Sequence, residues 1–401
     1  MSIEARLPPP QYGLRLKRML GGKAGWNGII LQILFVAVLA WVGYEIVANA
    51  RSNLAAQRIT SGFGFLNNTA GFDVNQALIS YTGSDSYSRV LMVGVLNTLL
   101  VSVIGIVLST ILGFLVALGR LSPNALLSRV SGAYVELIRN LPLLFQILFW
   151  YLAVLAALPG PRQSISLFST FFLNNRGFIV PRPVEEPGLM PFLIALGVAI
   201  LASVGLRLYA RRELFLRGHA MRIWPYVLGM LIGLPLIAVV VFGVPVAFEV
   251  PVLKGFNFAG GSRIIPELVA LTLALTMYTA SFIAEVVRAG ILSVHKGQME
   301  AGLSLGLSRG TVLRLIVVPQ ALRVILPPLT NQYLNLTKNS SLAVAIGYPD
   351  LVSVFAGTTM SQTGQAIEII GITMGVYLAL SLITSAGMSF YSWRLGKRLG
   401  A

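Results

Sequence analysis

Polar residues are scarce in this 401-residue chain, so those with a regular spacing stand out. Asn331, Asn335 and Asn339 recur every four residues with Lys338 beside them, and the apolar Tyr333, Leu334 and Leu336 lie between. On a helix that spacing gathers them into one polar stripe. A lysine ammonium attracts a carboxylate, and an asparagine amide both donates and accepts. The stripe could line a path for a small polar solute. It could equally be hydrogen-bonding glue between helices, with Lys338 snorkelling to a surface. A zwitterionic solute also needs a partner for its ammonium, and Glu267 and Glu368 have the right sign. Glu136 and Arg139 are three residues apart, as are Glu285 and Arg288, so each pair can meet on one helix face. Such pairs neutralise charge near the ends of apolar segments, or form a gate or a contact between subunits.

Other chemistries are excluded. With no cysteine there is no disulfide, iron–sulfur cluster or thiolate zinc site. No Gly-x4-Gly-Lys-Ser/Thr loop occurs, since Gly21-Gly22-Lys23 lacks the spacing, so any ATP must be held by another chain. His-Glu-x-x-His and Gly-x-Ser-x-Gly are missing too, which removes zinc and serine hydrolases. His219 and His295 fall in short polar connections and read as solvated surface. No metal site and no cofactor is expected on this chain.

The elements that position these residues are membrane helices. The chain is 56% hydrophobic and 11% charged, against about 25% charged in soluble domains. Apolar stretches long enough to cross ~30 Å of hydrocarbon lie near 28–47, 89–119, 133–158, 189–208, 224–246, 264–292, 312–347 and 367–393. This predicts an all-α polytopic membrane protein of about eight spans. The net charge of +16 does not point to nucleic acid, because the positive residues sit between spans. Arg207, Arg211, Arg212, Arg217 and Arg222 crowd one such connection, and Arg394, Lys397 and Arg398 follow the last span. By the positive-inside rule both termini are cytoplasmic. The expected divisions are a tail over 1–27, a first span with its external segment over 28–88, a main transmembrane region over 89–393, and a tail over 394–401. The external segment is expected to hold one short helix near Val74–Ile79. Segments 159–188 and 248–262 read as external loops. Gly105, Ser109, Gly113 and Ala117 form a small-residue face for close helix packing.

Between the sixth and seventh spans lies a short polar segment, 293–311. Gln298 to Leu305 can form about two helical turns. Gly306 suits a left-handed stop and Ser308 an N-cap for the next helix. Pro319 is expected to kink or end that helix, and Pro327-Pro328 to break it again.

The spacing Glu300-Ala301-Gly302, Gly306, Ile316, Val318, Pro319 resembles the "EAA" loop of ABC importer permeases. Gly302 stands where the family has a second Ala, and Val318 where it has Leu. Three more stretches are similar to signatures of polar amino-acid permeases. They are Glu136 to Leu144, Tyr278 to Arg288, and Asn331 to Ser341. The long layout, with an inserted helix pair over 189–246 and SGFGFL at Ser61 to Leu66, looks like the general L-amino-acid permeases. The resemblance implies a type I importer fold with a five-helix core. It implies that 298–306 is a coupling helix docking on a separate ATP-binding subunit. It also implies a second permease subunit, two ATP-binding subunits carrying ATP–Mg, a periplasmic amino-acid-binding protein, L-amino acids as cargo, and a bacterial inner membrane. A secondary transporter driven by an ion gradient is the alternative; it would need ion sites and no docking helix.

Overall fold

The computed structural model describes residues 23–56, 62–218 and 221–398. Most of the expected 1–27 tail, Ser61 and the last three residues lie outside them. The helices are α1 (Lys23–Ala56), α2 (Tyr87–Arg120), α3 (Ala125–Asn140), α4 (Leu143–Leu155), α5 (Leu189–Arg217), α6 (Trp224–Phe242), α7 (Pro266–Leu292), α8 (Lys296–Ser304), α9 (Arg309–Ile346), α10 (residues 352–363) and α11 (Ala366–Arg398). Among the described residues seven are long and apolar enough to cross a membrane, and α3 with α4 makes an eighth as a bent pair.

α7 is the axis of the packed core, with 56% of its apolar window buried. α2, α3, α4 and α9 lie against it, and α11 closes on α9. Small residues permit this closeness. A Cβ on Gly113 of α2 would stand 2.7 Å from Ile283 Cβ, and one on Gly290 would stand 2.3 Å from Ile325 Cγ1. The expected small-residue face is therefore the contact surface of α2, buried at Gly105, Ser109, Gly113 and Ala117. α1 stands apart, with none of its apolar window buried.

Several expectations need correction. The third span is not one helix. α3 and α4 meet at 105°, because Leu141 and Pro142 are extended. The residue before a proline is driven out of the helical region. The prolines of α9 do not end it, and the α-helical run continues from Val318 to Asn339 through Pro319, Pro327 and Pro328. A π-turn at Leu313–Val317 precedes Pro319, the kind of widened turn that lets a helix take in an irregularity without stopping. No helix forms near Val74–Ile79. Instead a 3-10 turn at Phe63–Asn67 buries Phe65, whose ring lies 6.2 Å from Tyr87 and 6.3 Å from Phe355. Finally, α11 continues through Arg394 and Lys397 to Arg398, so that much of the closing tail is helix.

The two loops expected at 159–188 and 248–262 are strands. β1 (Ile165–Leu167), β2 (Phe171–Asn174), β3 (Gly177–Val180) and β8 (Ser262–Ile264) form an antiparallel sheet in the order 1-2-3-8. β4 (Arg182–Glu185) pairs with β5 (Val246–Glu249), and β6 (Val252–Lys254) with β7 (Asn257–Ala259). This cap covers the end of the bundle where α7 begins. α5 leaves from it and α6 returns to it, so the α5–α6 hairpin is held at its base by the β4–β5 pair.

Candidate functional site

Two groups of residues carry candidate function, one at the far end of α7 and one along α9. At the far end α8 is a short helix between two tight stops. His295 Nδ1 accepts from the Gly297 amide at 3.1 Å and starts it, a capping role that its reading as solvated surface overlooked. The stop is a Schellman motif. The Gly306 amide donates to Leu303 O at 2.9 Å, and the Leu307 amide to Gly302 O at 3.3 Å. Gly306 holds φ +78°, as its position required. Ser308 Oγ then accepts from the Thr311 amide at 3.3 Å and begins α9, as expected.

The two faces of α8 differ. Gly302 is buried against its own chain, and a Cβ there would lie 2.8 Å from Val312 Cγ2 and 3.2 Å from Ile316 Cδ1. Gln298 Oε1 accepts from Gln320 Nε2 at 3.2 Å and ties the helix to α9 again. Glu300, Ala301, Leu303 and Leu305 are exposed, Leu305 by 80%. So Ala301 and Gly302, neighbours in the motif, divide. Ala301 faces out, and Gly302 is the inward hinge of the loop.

Just above α8 the charges regroup. Glu285 pairs with Arg288 (Nε to Oε1 3.2 Å), as the spacing predicted. Arg120, the last residue of α2, also donates to Glu285. Glu136 and Arg139 do not pair; Glu136 is exposed, and the Arg139 guanidinium stands 4.9 Å above the Phe282 ring. Spacing alone could not have found Arg120, because its partner is 165 residues away.

Along α9, Asn331, Asn335 and Lys338 lie exposed on one side, and Asn339 is half-buried. Their side chains make no hydrogen bond to the described protein. Two cavities open between α9 and α11. One of about 510 Å³ takes in Asn331, Thr330, Ser385 and Ser389. The other, about 450 Å³, takes in Lys338, Ser341, Thr373, Tyr377 and Ser381. Neither contains a carboxylate. Glu267 accepts from the Tyr151 hydroxyl at 2.9 Å and Glu368 from the Gly62 amide at 2.7 Å, both in first turns at the cap end. The stripe and the two glutamates are thus not brought together.

Among the described residues the buried acid is Asp350, in the turn between α9 and α10. It accepts from the Ser353 amide at 2.8 Å and lies 3.4 Å from the Tyr377 hydroxyl. Burial pushes its carboxyl up to about 7, against the pull of the backbone amides that cap it. Asn97 of α2 donates to Pro349 O at 2.8 Å and fixes the same turn. Sequence reasoning missed Asp350 because nothing in its spacing marks a buried cap.

A bundle of about eight spans, with a capped two-faced helix standing out between two of them, finds its counterpart in known proteins. Residues 105–394 match the family described as binding-protein-dependent transport system inner membrane component. The chain belongs to that family. Its members are multi-pass inner-membrane permeases, and the match takes in the bent pair, α7, the α8 loop, α9 and α11. The chain is 53% identical over 367 residues to the permease protein YhdX of Escherichia coli (strain K12), covering 91% of this chain and 93% of that one. It is 48% identical over 370 residues to the general L-amino acid transport system permease protein AapQ of Rhizobium johnstonii, covering 92% of each. It is 38% identical over 422 residues to the glutamate/glutamine/aspartate/asparagine transport system permease protein BztB of Rhodobacter capsulatus, covering 96% and 97%.

Proposed function

We propose that this permease carries L-amino acids inward across the bacterial inner membrane as part of an ATP-driven importer. The substrate class rests on the likeness to AapQ and BztB. The observation that carries the mechanism is the division of α8 into a locked face and an exposed one. Ala301, Leu303 and Leu305 present a small, apolar surface of the kind a groove accepts. A separate ATP-binding subunit supplies that groove and holds the ATP–Mg; no reaction is catalysed on this chain, which needs no cofactor of its own. Closure of two such subunits pulls on α8. Gly302 passes the motion to α9, the Arg120–Glu285–Arg288 cluster ties α7 to α2, and the bundle rocks as rigid parts.

The open face of α9 supports a second permease subunit. Unpartnered Asn331, Asn335 and Lys338 would be costly against lipid, so they face protein or water. With a second permease opposite, that face lines the translocation path, and Lys338 offers a carboxylate its counter-charge. A periplasmic amino-acid-binding protein delivers cargo at the β-cap end, and both termini are cytoplasmic.

The test is uptake by proteoliposomes of the assembled complex with its binding protein. Labelled L-amino acids should accumulate with internal ATP after ion gradients are collapsed. Accumulation that follows the gradient and ignores ATP would establish a secondary transporter instead.

A further inference from the structure

The α5–α6 hairpin is the part of the molecule that transport leaves unexplained. Its helices pack on each other and scarcely on the core. The Arg217 end of α5 and the Trp224 end of α6 lie at the opposite ends of these helices from the paired strands that hold their base. Five arginines crowd the connection between them, and the hairpin's single acid, Glu213, is already engaged by Arg217 at 3.2 Å.

A cavity of about 740 Å³ opens between the two helices at this level. Arg207 and Arg211, one helical turn apart on α5, stand on its wall. Trp224, the first residue of α6, stands opposite, with the Arg207 guanidinium 5.9 Å from its ring. The remaining walls are largely apolar, with Val204 and Leu208 deeper along α5 and Val227 along α6. Two cations at the mouth with no carboxylate among the lining residues, a tryptophan beside them and an apolar cleft running along the helices match an anionic headgroup with its acyl chain below. A soluble anion would use the arginines and leave the apolar walls wet.

We propose that this cleft is a binding site for an anionic phospholipid, with Arg207 and Arg211 on the headgroup phosphate and Trp224 at the interface. The lipid would seat this end of the hairpin in its leaflet. The site stands independently of the solute carried.

The complex, purified intact in mild detergent, would be titrated with phosphatidylglycerol, with phosphatidylcholine of the same acyl chains, and with inorganic phosphate. Retained lipid would be counted by native mass spectrometry. Phosphatidylglycerol should be retained at one per permease chain and resist displacement by phosphatidylcholine or by phosphate. At about fivefold per arginine, the R207Q/R211Q double variant should bind it about 25-fold more weakly. R207K/R211K keeps the charge and should stay within about fivefold of wild type. Equal retention of the two lipids by the wild type would overturn the proposal without any variant. So would unchanged binding in R207Q/R211Q, and displacement by phosphate alone would assign the arginines to a soluble anion.

Discussion

Replacing Gly302 by alanine restores the residue type that ABC permease loops carry there, and in this chain it should do harm. The new Cβ would meet Val312 Cγ2 at 2.8 Å, Val312 Cγ1 at 3.0 Å and Ile316 Cδ1 at 3.2 Å. Val312 is fully buried, so its methyls have little room to yield. Overpacking of this kind costs about 1–3 kcal/mol. Alanine's better helix propensity returns about 1 kcal/mol. The balance is a loop destabilised by about 1 kcal/mol, or an opening equilibrium raised about fivefold. Hydrogen exchange across residues 296–317 in the assembled complex reads that directly. Val312→Ala in the same chain removes both offending methyls, and the pair should show a favourable coupling of about 1–2 kcal/mol. Exchange in Gly302→Ala equal to wild type, or a double variant no better than the sum of the singles, would refute the packing assigned to α8.

Gly306→Val puts a β-branched residue at φ +78° with no contact to lose, so it should insert and hydrolyse ATP without uptake. Ala301→Asp puts a charge on the exposed face, and the ATP-binding subunits should no longer copurify. Asn335→Leu should impair uptake in a complex that still assembles; normal uptake would remove Asn335 from the path. Glu285→Gln leaves Arg120 and Arg288 without their anion, and because the cluster is partly solvated the loss should be about 1 kcal/mol, read as a lower unfolding midpoint that Glu285→Asp partly restores. Asp350 titrates near 7 when folded, against about 4 when unfolded. From about pH 4 to 7 the folded state therefore keeps a proton that the unfolded state has lost, and stability falls as pH rises through that window. Asp350→Asn should flatten this part of the unfolding profile; an unchanged slope would show that Asp350 does not set it.

Local signals proved legible in the sequence. Gly306, Ser308 and the two turns between them and Lys296 follow from rules that act within five residues. The spans follow from hydropathy, and the α2 face from the spacing of Gly105, Ser109, Gly113 and Ala117. What escaped was either non-local or balanced. Arg120 reaches Glu285 across the bundle. Asp350 is buried by elements far from it in the chain. The 105° bend needs only Leu141-Pro142, but a hydropathy window smooths over two residues. The β-cap is built of strands of three or four residues, too short for an alternating pattern to register, although the Asn174-Asn175-Arg176-Gly177 turn between Phe172 and Ile179 is a hairpin signal in hindsight. The prolines of α9 carry a strong local rule that tertiary packing overrode.

The β4–β5 pair has a bearing on how such a chain could arise. Arg182 faces Glu249 and Glu185 faces Val246, so everything from 186 to 245 leaves and re-enters through two neighbouring strands. Paired strands lie about 5 Å apart, the separation that a tight turn bridges unaided. A gene could therefore acquire or shed this stretch, or trade it for another, while α4 and α7 keep their places. Cutting the helical hairpin at this pair would leave the contacts within the bundle in place.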